Sequence, residues 1–233
     1  MKSSDNQTNT EIVKVISQGR DRTNILKNWE QKSIAFFVKW MPKWISSDML
    51  TGIGFMGNTL VFVSFVLATY FGSLYLLIGV AGFAISWFGD SLDGRIAYYR
   101  HIPRKWYGFA LDVTIDWIGI VLICLGVIIY VEGSWEVVGF VFVVLYGWEM
   151  ITTMIRYKVT NQYSIDSGLL GPTEVRIVIS SILVLEAFVN GSILYSAIIA
   201  CSILFITNIV DTIKLLKLAD SKDVEELKKK KQE

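Results

Sequence analysis

Apolar and polar residues alternate along this chain on the scale of whole helices. About six apolar runs, at about 50–70, 73–95, 107–131, 135–156, 173–190 and 192–215, each approach the length that crosses a bilayer as a helix. The turns Phe71-Gly72 and Asn190-Gly191 are short and uncharged, and the turn from Glu132 to Glu136 is acidic. Ahead of these runs, in residues 24–46, the pattern changes. Ile25, Leu26, Trp29, Phe36, Phe37, Trp40, Met41 and Trp44 recur near helical spacing, and Lys27, Lys32, Lys39 and Lys43 fill the remaining surface. That pattern predicts an amphipathic helix lying in the membrane interface and broken near Pro42. The alternative is a peripheral helix packed on a soluble core.

The expected fold is therefore an all-α polytopic membrane protein, with about six transmembrane helices preceded by an amphipathic interfacial helix. Residues 1–23 are expected to be a polar, poorly ordered segment, 47–216 the transmembrane domain, and 217–233 a charged tail. Composition agrees. Of 233 residues 53% are hydrophobic and only 18% charged, below the roughly 25% of soluble domains. Mean hydropathy is +0.48. Eight Trp, ten Tyr and thirteen Phe suit aromatic belts at two water interfaces. Cys124 and Cys201 lie inside apolar runs, which argues against a disulfide or a zinc site. No cleavable signal is expected, because the first 23 residues lack an apolar stretch.

The net charge of +1 hides an uneven distribution of basic residues. The N-terminal segment, the loop with Arg95, Arg100, Arg104 and Lys105, then Arg156, Lys158 and the Lys-rich tail all fall on one side of the predicted spans. The positive-inside rule places that side, with both termini, in the cytoplasm. The expected location is the cytoplasmic (inner) membrane, with no nucleic-acid partner.

Candidate chemistry concentrates between Asp90 and Asp116. Asp90, Asp93, Gly94 and Ala97 share one helix face, as do Gly108, Asp112 and Asp116. Acids at the ends of membrane-length helices are costly unless they face one another, water or a cation. Those two helices supply no matching cation of their own, so a divalent metal is expected, and carboxylates suit hard ions such as Mg²⁺ or Mn²⁺.

Written out, the stretch is D-S-L-D-G-R-I-A-Y-Y-R, a short basic loop, then G-F-A-L-D-V-T-I-D. It resembles the CDP-alcohol phosphotransferase motif D-x2-D-G-x2-A-R, eight or nine residues, G-x3-D-x3-D. Seven of its eight fixed positions match: Asp90, Asp93, Gly94, Ala97, Gly108, Asp112 and Asp116. The family Arg is Tyr98 here, and the nearest Arg, Arg100, lies about 200° further round an unbroken helix.

The resemblance implies Asp90, Asp93, Asp112 and Asp116 as metal ligands, with Asp116 also as general base. It implies Gly94, Ala97, Gly108, Arg100 and Thr51 beside the nucleotide or substrate, and a homodimer. The expected reaction moves the phosphatidyl group of a CDP-linked lipid, CDP-diacylglycerol, to a small polar alcohol and releases CMP. Membrane lipids are partners by the same token.

Weaker features stand beside this motif. Ser47-Asp48-Met49-Leu50-Thr51 partly matches a P-N-x-x-T segment of relatives. Thr173-Glu174-Val175 resembles a segment of choline and ethanolamine phosphotransferases, though it equally suits a helix cap. Those enzymes typically place a His after the third motif Asp, where this chain has Val113. Arg156 and Arg176 are candidates for an acceptor or lipid phosphate, or simply follow the positive-inside rule. Glu149 and Asp211 are candidates to line the same polar cavity. Glu186 lies toward the opposite face with no assigned role, and His101 is expected to be solvated. Three other readings remain: an aminoalcohol phosphotransferase acting on diacylglycerol, a non-catalytic lipid- or nucleotide-binding relative, and a cation channel or transporter.

Overall fold

A computed structural model of the chain describes residues 26–131, 133–160 and 172–230. The expectation for residues 1–23 lies outside the described residues. Seven α-helices occur among those described: α1 (Lys27–Trp40), α2 (Ser47–Phe71), α3 (Leu76–Tyr99), α4 (Lys105–Tyr130), α5 (Val137–Thr160), α6 (Pro172–Phe188) and α7 (Ser192–Lys230). Short 3₁₀ turns at Ser73–Tyr75 and Gly133–Glu136 lead into α3 and α5.

Five helices are long and apolar enough to cross a membrane, namely α2, α3 with its 3₁₀ turn, α4, α5 and α7. The sixth expected span is α6. Its 17 residues sit at the short end of the bilayer-spanning range, and Glu174, Arg176 and Glu186 interrupt its hydropathy. The outer faces of α4, α5 and α7 present Ile118, Leu125, Val144, Ile151, Ile199 and Ile206, as lipid-facing helices must.

The tightest packing is between α2 and α3, and glycines cause it. A Cβ on Gly57 would meet the Gly82 carbonyl at 2.6 Å, and one on Gly82 the Gly57 carbonyl at 2.8 Å. At the other end of the contact, Gly89 lies against the backbone of Gly54 and Leu50. Inside a bilayer the hydrophobic effect does not drive helices together, and such small-residue contacts let backbones approach and gain dispersion energy. Around this pair, α4 packs on α2, α6 on α3, and α5 bridges α4 and α7.

Helix α1 is shorter than expected, ending at Trp40, and an irregular link through Pro42 joins it to α2. It buries Ile34, Ala35 and Val38 against Leu50, Leu92 and Ile96, and leaves Trp29, Phe36 and Trp40 exposed. Ser46 caps α2 by accepting from the Met49 N–H at 3.1 Å.

Glu186 has a clear place in the structure. It is buried, and it accepts from the Tyr130 hydroxyl (2.9 Å), the Gly191 N–H (2.9 Å), the Ser192 hydroxyl (2.9 Å) and the Ile193 N–H (2.7 Å). One carboxylate thereby satisfies two backbone donors at the start of α7 and fixes the α6–α7 turn, where Gly191 adopts φ +88°. Both cysteines are free and buried.

Candidate active site

The end of α3 determines what Arg100 can reach. The helix stops at Tyr99, and the chain closes with Ile102 N–H donating to Ala97 O and His101 N–H to Tyr98 O, both at 3.0 Å. This is a Schellman closure, with His101 (φ +57°) in the left-handed place usually taken by glycine. Arg100 therefore leaves the helical track. Its guanidinium donates to the Ile45 carbonyl (2.5 Å) and the Pro42 carbonyl (2.8 Å), so it clamps the α1–α2 link and is not among the residues lining the cleft. Nearby, Arg104 pairs with Asp48 at the start of α2, and that hydrogen bond holds the guanidinium above its ordinary pKa.

All four motif acids line one cleft between α2, α3 and α4. Asp90, Asp112 and Asp116 each place an oxygen so that all three lie within 4.8 Å of one another. Two ligand oxygens on opposite sides of Mg²⁺ sit about 4.2 Å apart, given bonds near 2.1 Å. Adjacent ligand oxygens sit closer, about 3.0 Å apart at the same bond length, so the three acids must draw together to share a small divalent ion, and their donor set, oxygen only, is the right one.

Asp93 stands slightly aside. Its carboxylate accepts from the Thr51 hydroxyl at 2.7 Å and from the Gly94 N–H, and its carbonyl accepts from the Ser47 hydroxyl at 2.7 Å. Thr51 thus orients an acid on the neighbouring helix and lines the cleft itself. Gly94 and Ala97 follow on the half-exposed last turns of α3. At Gly108 a Cβ would meet nothing within 4 Å, so the space beside the start of α4 is open.

Two basic candidates separate. Arg176 on α6 reaches the cluster, with Nη2 2.7 Å from Asp90 Oδ2. Arg156 turns instead to Asp211 on α7, at 3.7 Å, which Lys214 also approaches at 3.5 Å. Neither Glu149 nor Asp211 lines the cleft. Thr173 and Glu174 serve helix packing. Thr173 donates to Glu30 (3.0 Å) and accepts from the Trp87 indole (3.1 Å), and Glu174 accepts from the Leu26 N–H (2.9 Å).

The residues alone did not point to Asn58 and Ser86, buried polar side chains on the inner wall of the cleft. A signal existed for Asn58, since an amide inside an apolar span marks a polar interior.

A cleft of clustered aspartates at the ends of paired membrane helices defines an integral membrane enzyme that handles charged groups beside lipid. The chain belongs to the CDP-alcohol phosphatidyltransferase family, whose sequence model matches residues 44–210. It is accordingly a membrane-embedded transferase of phosphate-containing groups, from a family that is in general divalent-metal dependent. Among solved structures it is similar to the Mycobacterium tuberculosis phosphatidylinositol phosphate synthase PgsA1, crystallised with CDP-DAG bound. Identity is 15% and the TM-score 0.54, over 82% of this chain and 94% of that one, so the likeness is one of fold. No curated protein matches the chain.

Proposed function

We propose that the protein transfers the phosphatidyl group of CDP-diacylglycerol to the hydroxyl of a small polar alcohol, releasing CMP. The observation that carries this reading is the convergence of Asp90, Asp112 and Asp116 within 4.8 Å, inside the family's own motif. The CDP-DAG bound to the similar synthase supports the choice of donor.

In this reading Asp90, Asp112 and Asp116 hold a divalent ion, Mg²⁺ or Mn²⁺, with Asp93 beside them. The ion, when bound, neutralises charge on the phosphoryl oxygens and the departing phosphate. The acceptor oxygen attacks the phosphatidyl phosphorus and the bond from that phosphorus to the bridging oxygen breaks. CMP leaves with the electron pair, and the hydroxyl proton passes to Asp116. Thr51 keeps Asp93 oriented, while Gly94, Ala97 and Gly108 leave room for the nucleotide and its phosphates. Arg100 holds the α1–α2 link. The cytoplasmic orientation, the interfacial placement of α1 and a homodimer belong to the same proposal.

The competing aminoalcohol reading drew on Thr173-Glu174-Val175, and the first two of those side chains are engaged in packing against α1 and Trp87. The test is CMP release by purified protein from CDP-diacylglycerol, with a panel of alcohols and Mg²⁺ or Mn²⁺. Turnover with one acceptor, abolished in Asp116→Asn, is the expected result. Turnover from CDP-ethanolamine or CDP-choline with diacylglycerol, or none from any pair, overturns the proposal.

A further inference from the structure

We infer that Arg176 is the built-in counter-ion of the carboxylate cluster and competes with the divalent cation for Asp90, so that it sets the affinity of the site for metal. This rests on the reading that Asp90, Asp112 and Asp116 hold that cation.

The geometry is specific. Arg176 Nη2 lies 2.7 Å from Asp90 Oδ2, and the side chains are 17% and 23% exposed. Asp90 is also one of the three acids whose oxygens converge within 4.8 Å. A guanidinium and a divalent ion on one carboxylate repel each other and draw on the same lone pairs, so each weakens the other.

The arginine is held at its post from the helix that carries it. Trp87 bonds Thr173 and Asp90 pairs with Arg176, which makes two successive rungs between α3 and α6, three residues apart on both helices. Glu30 and Leu26 fix the same first turn of α6 from α1. Arg176 reaches the cluster from a helix outside the α2–α4 trio. Three carboxylates gathered beside a bilayer require positive charge, and Arg176 supplies one unit of it where no metal is bound.

The experiment measures Mn²⁺ binding to detergent-purified full-length protein by electron paramagnetic resonance of free Mn²⁺, with no substrate present. Wild type is expected to bind, and Asp112→Asn to lose most of that binding. Arg176→Gln should then bind Mn²⁺ about tenfold more tightly or better, the equivalent of about 1.4 kcal/mol. Its thermal unfolding midpoint should fall without metal and rise more than that of wild type when Mn²⁺ is added. Arg176→Lys keeps a charge but loses the planar fork, so it should shift affinity in the same direction by less, and it serves if the glutamine variant does not fold. Unchanged or weaker Mn²⁺ binding in these variants, with wild type binding normally, overturns the inference alone. Absence of Mn²⁺ binding to wild type overturns the metal reading beneath it as well.

Discussion

Gly89→Ala is the most informative single substitution, because it adds one methyl beside Asp90 and contacts only backbone. The new Cβ would lie 2.5 Å from the Leu50 carbonyl oxygen and 2.6 Å from Gly54 Cα, with the Gly54 nitrogen nearer still. Ordinary contact begins near 3.4 Å, so α2 and α3 must part by more than about 0.9 Å at this level. No side chain can rotate away to absorb that. Overpacking of this kind costs about 1–3 kcal/mol.

The functional effect is larger than the stability effect. Gly89 directly precedes Asp90, so α3 carries Asp90 and Asp93 away from the acids of α4. Oxygens that lie within 4.8 Å spread well beyond the ~4.2 Å span of Mg²⁺. A misplacement of about 1 Å typically lowers turnover by about a hundredfold. The assay pairs CMP release with thermal unfolding in detergent, and Gly52→Ala is the control. At Gly52 a Cβ meets nothing within 4 Å, so alanine should leave turnover unchanged and stabilise the helix by up to about 1 kcal/mol. If Gly89→Ala retained half or more of wild-type turnover, the claim that glycine contacts position the acids would be refuted.

Two further substitutions test the buried acids outside the cleft. Glu186→Leu deprives the Tyr130 hydroxyl, the Ser192 hydroxyl and the Gly191 and Ile193 amides of their acceptor, and should cost at least about 2 kcal/mol by thermal or denaturant unfolding. A loss under about 0.5 kcal/mol would show that the α6–α7 turn is held by something else. Thr173→Val removes a partner of both Glu30 and Trp87, so limited proteolysis should cut between α1 and α2 several times faster than in wild type. An unchanged cleavage rate would mean that the Thr173 bonds do not anchor α1.

What the sequence revealed, and what it hid, follows from the range of each signal. Asp90 with Asp93, and Asp112 with Asp116, repeat at helical spacing, so each pair declares a shared face from local periodicity alone. That two such faces meet follows from their places at adjoining ends of consecutive spans. The division of labour among the four was not local. Asp93 lies about 60° round the helix from Asp90, which turns it toward Thr51 on α2, and only the packing of α2 on α3 reveals that partner. The charge balance was hidden for the same reason. Asp90 pairs with Arg176, which arrives from a helix far along the chain. Glu174 reads locally as a capping acid and Glu186 as a stray one, and Glu30 carries no local signal of a role. All three are buried, with partners that include residues on other helices.

The same contacts explain why the cluster can be both rigid and responsive. Helix α3 is fixed on one side by glycine contacts with α2, on another by the apolar face of α1, and on a third by Trp87 against Thr173. Backbone contacts cannot exchange partners without the helices separating, so the positions of Asp90 and Asp93 are set by the fold itself. Arg176 is different in kind. Its charge sits at the end of a side chain on α6, so its contact with Asp90 is broken by side-chain rotation alone while the Trp87–Thr173 bond still joins α3 to α6. A site that must hold its carboxylates still while a doubly charged ion enters and leaves needs both kinds of element. In the inference drawn above, α2–α3 supplies the fixed frame and Arg176 the charge that yields to the ion.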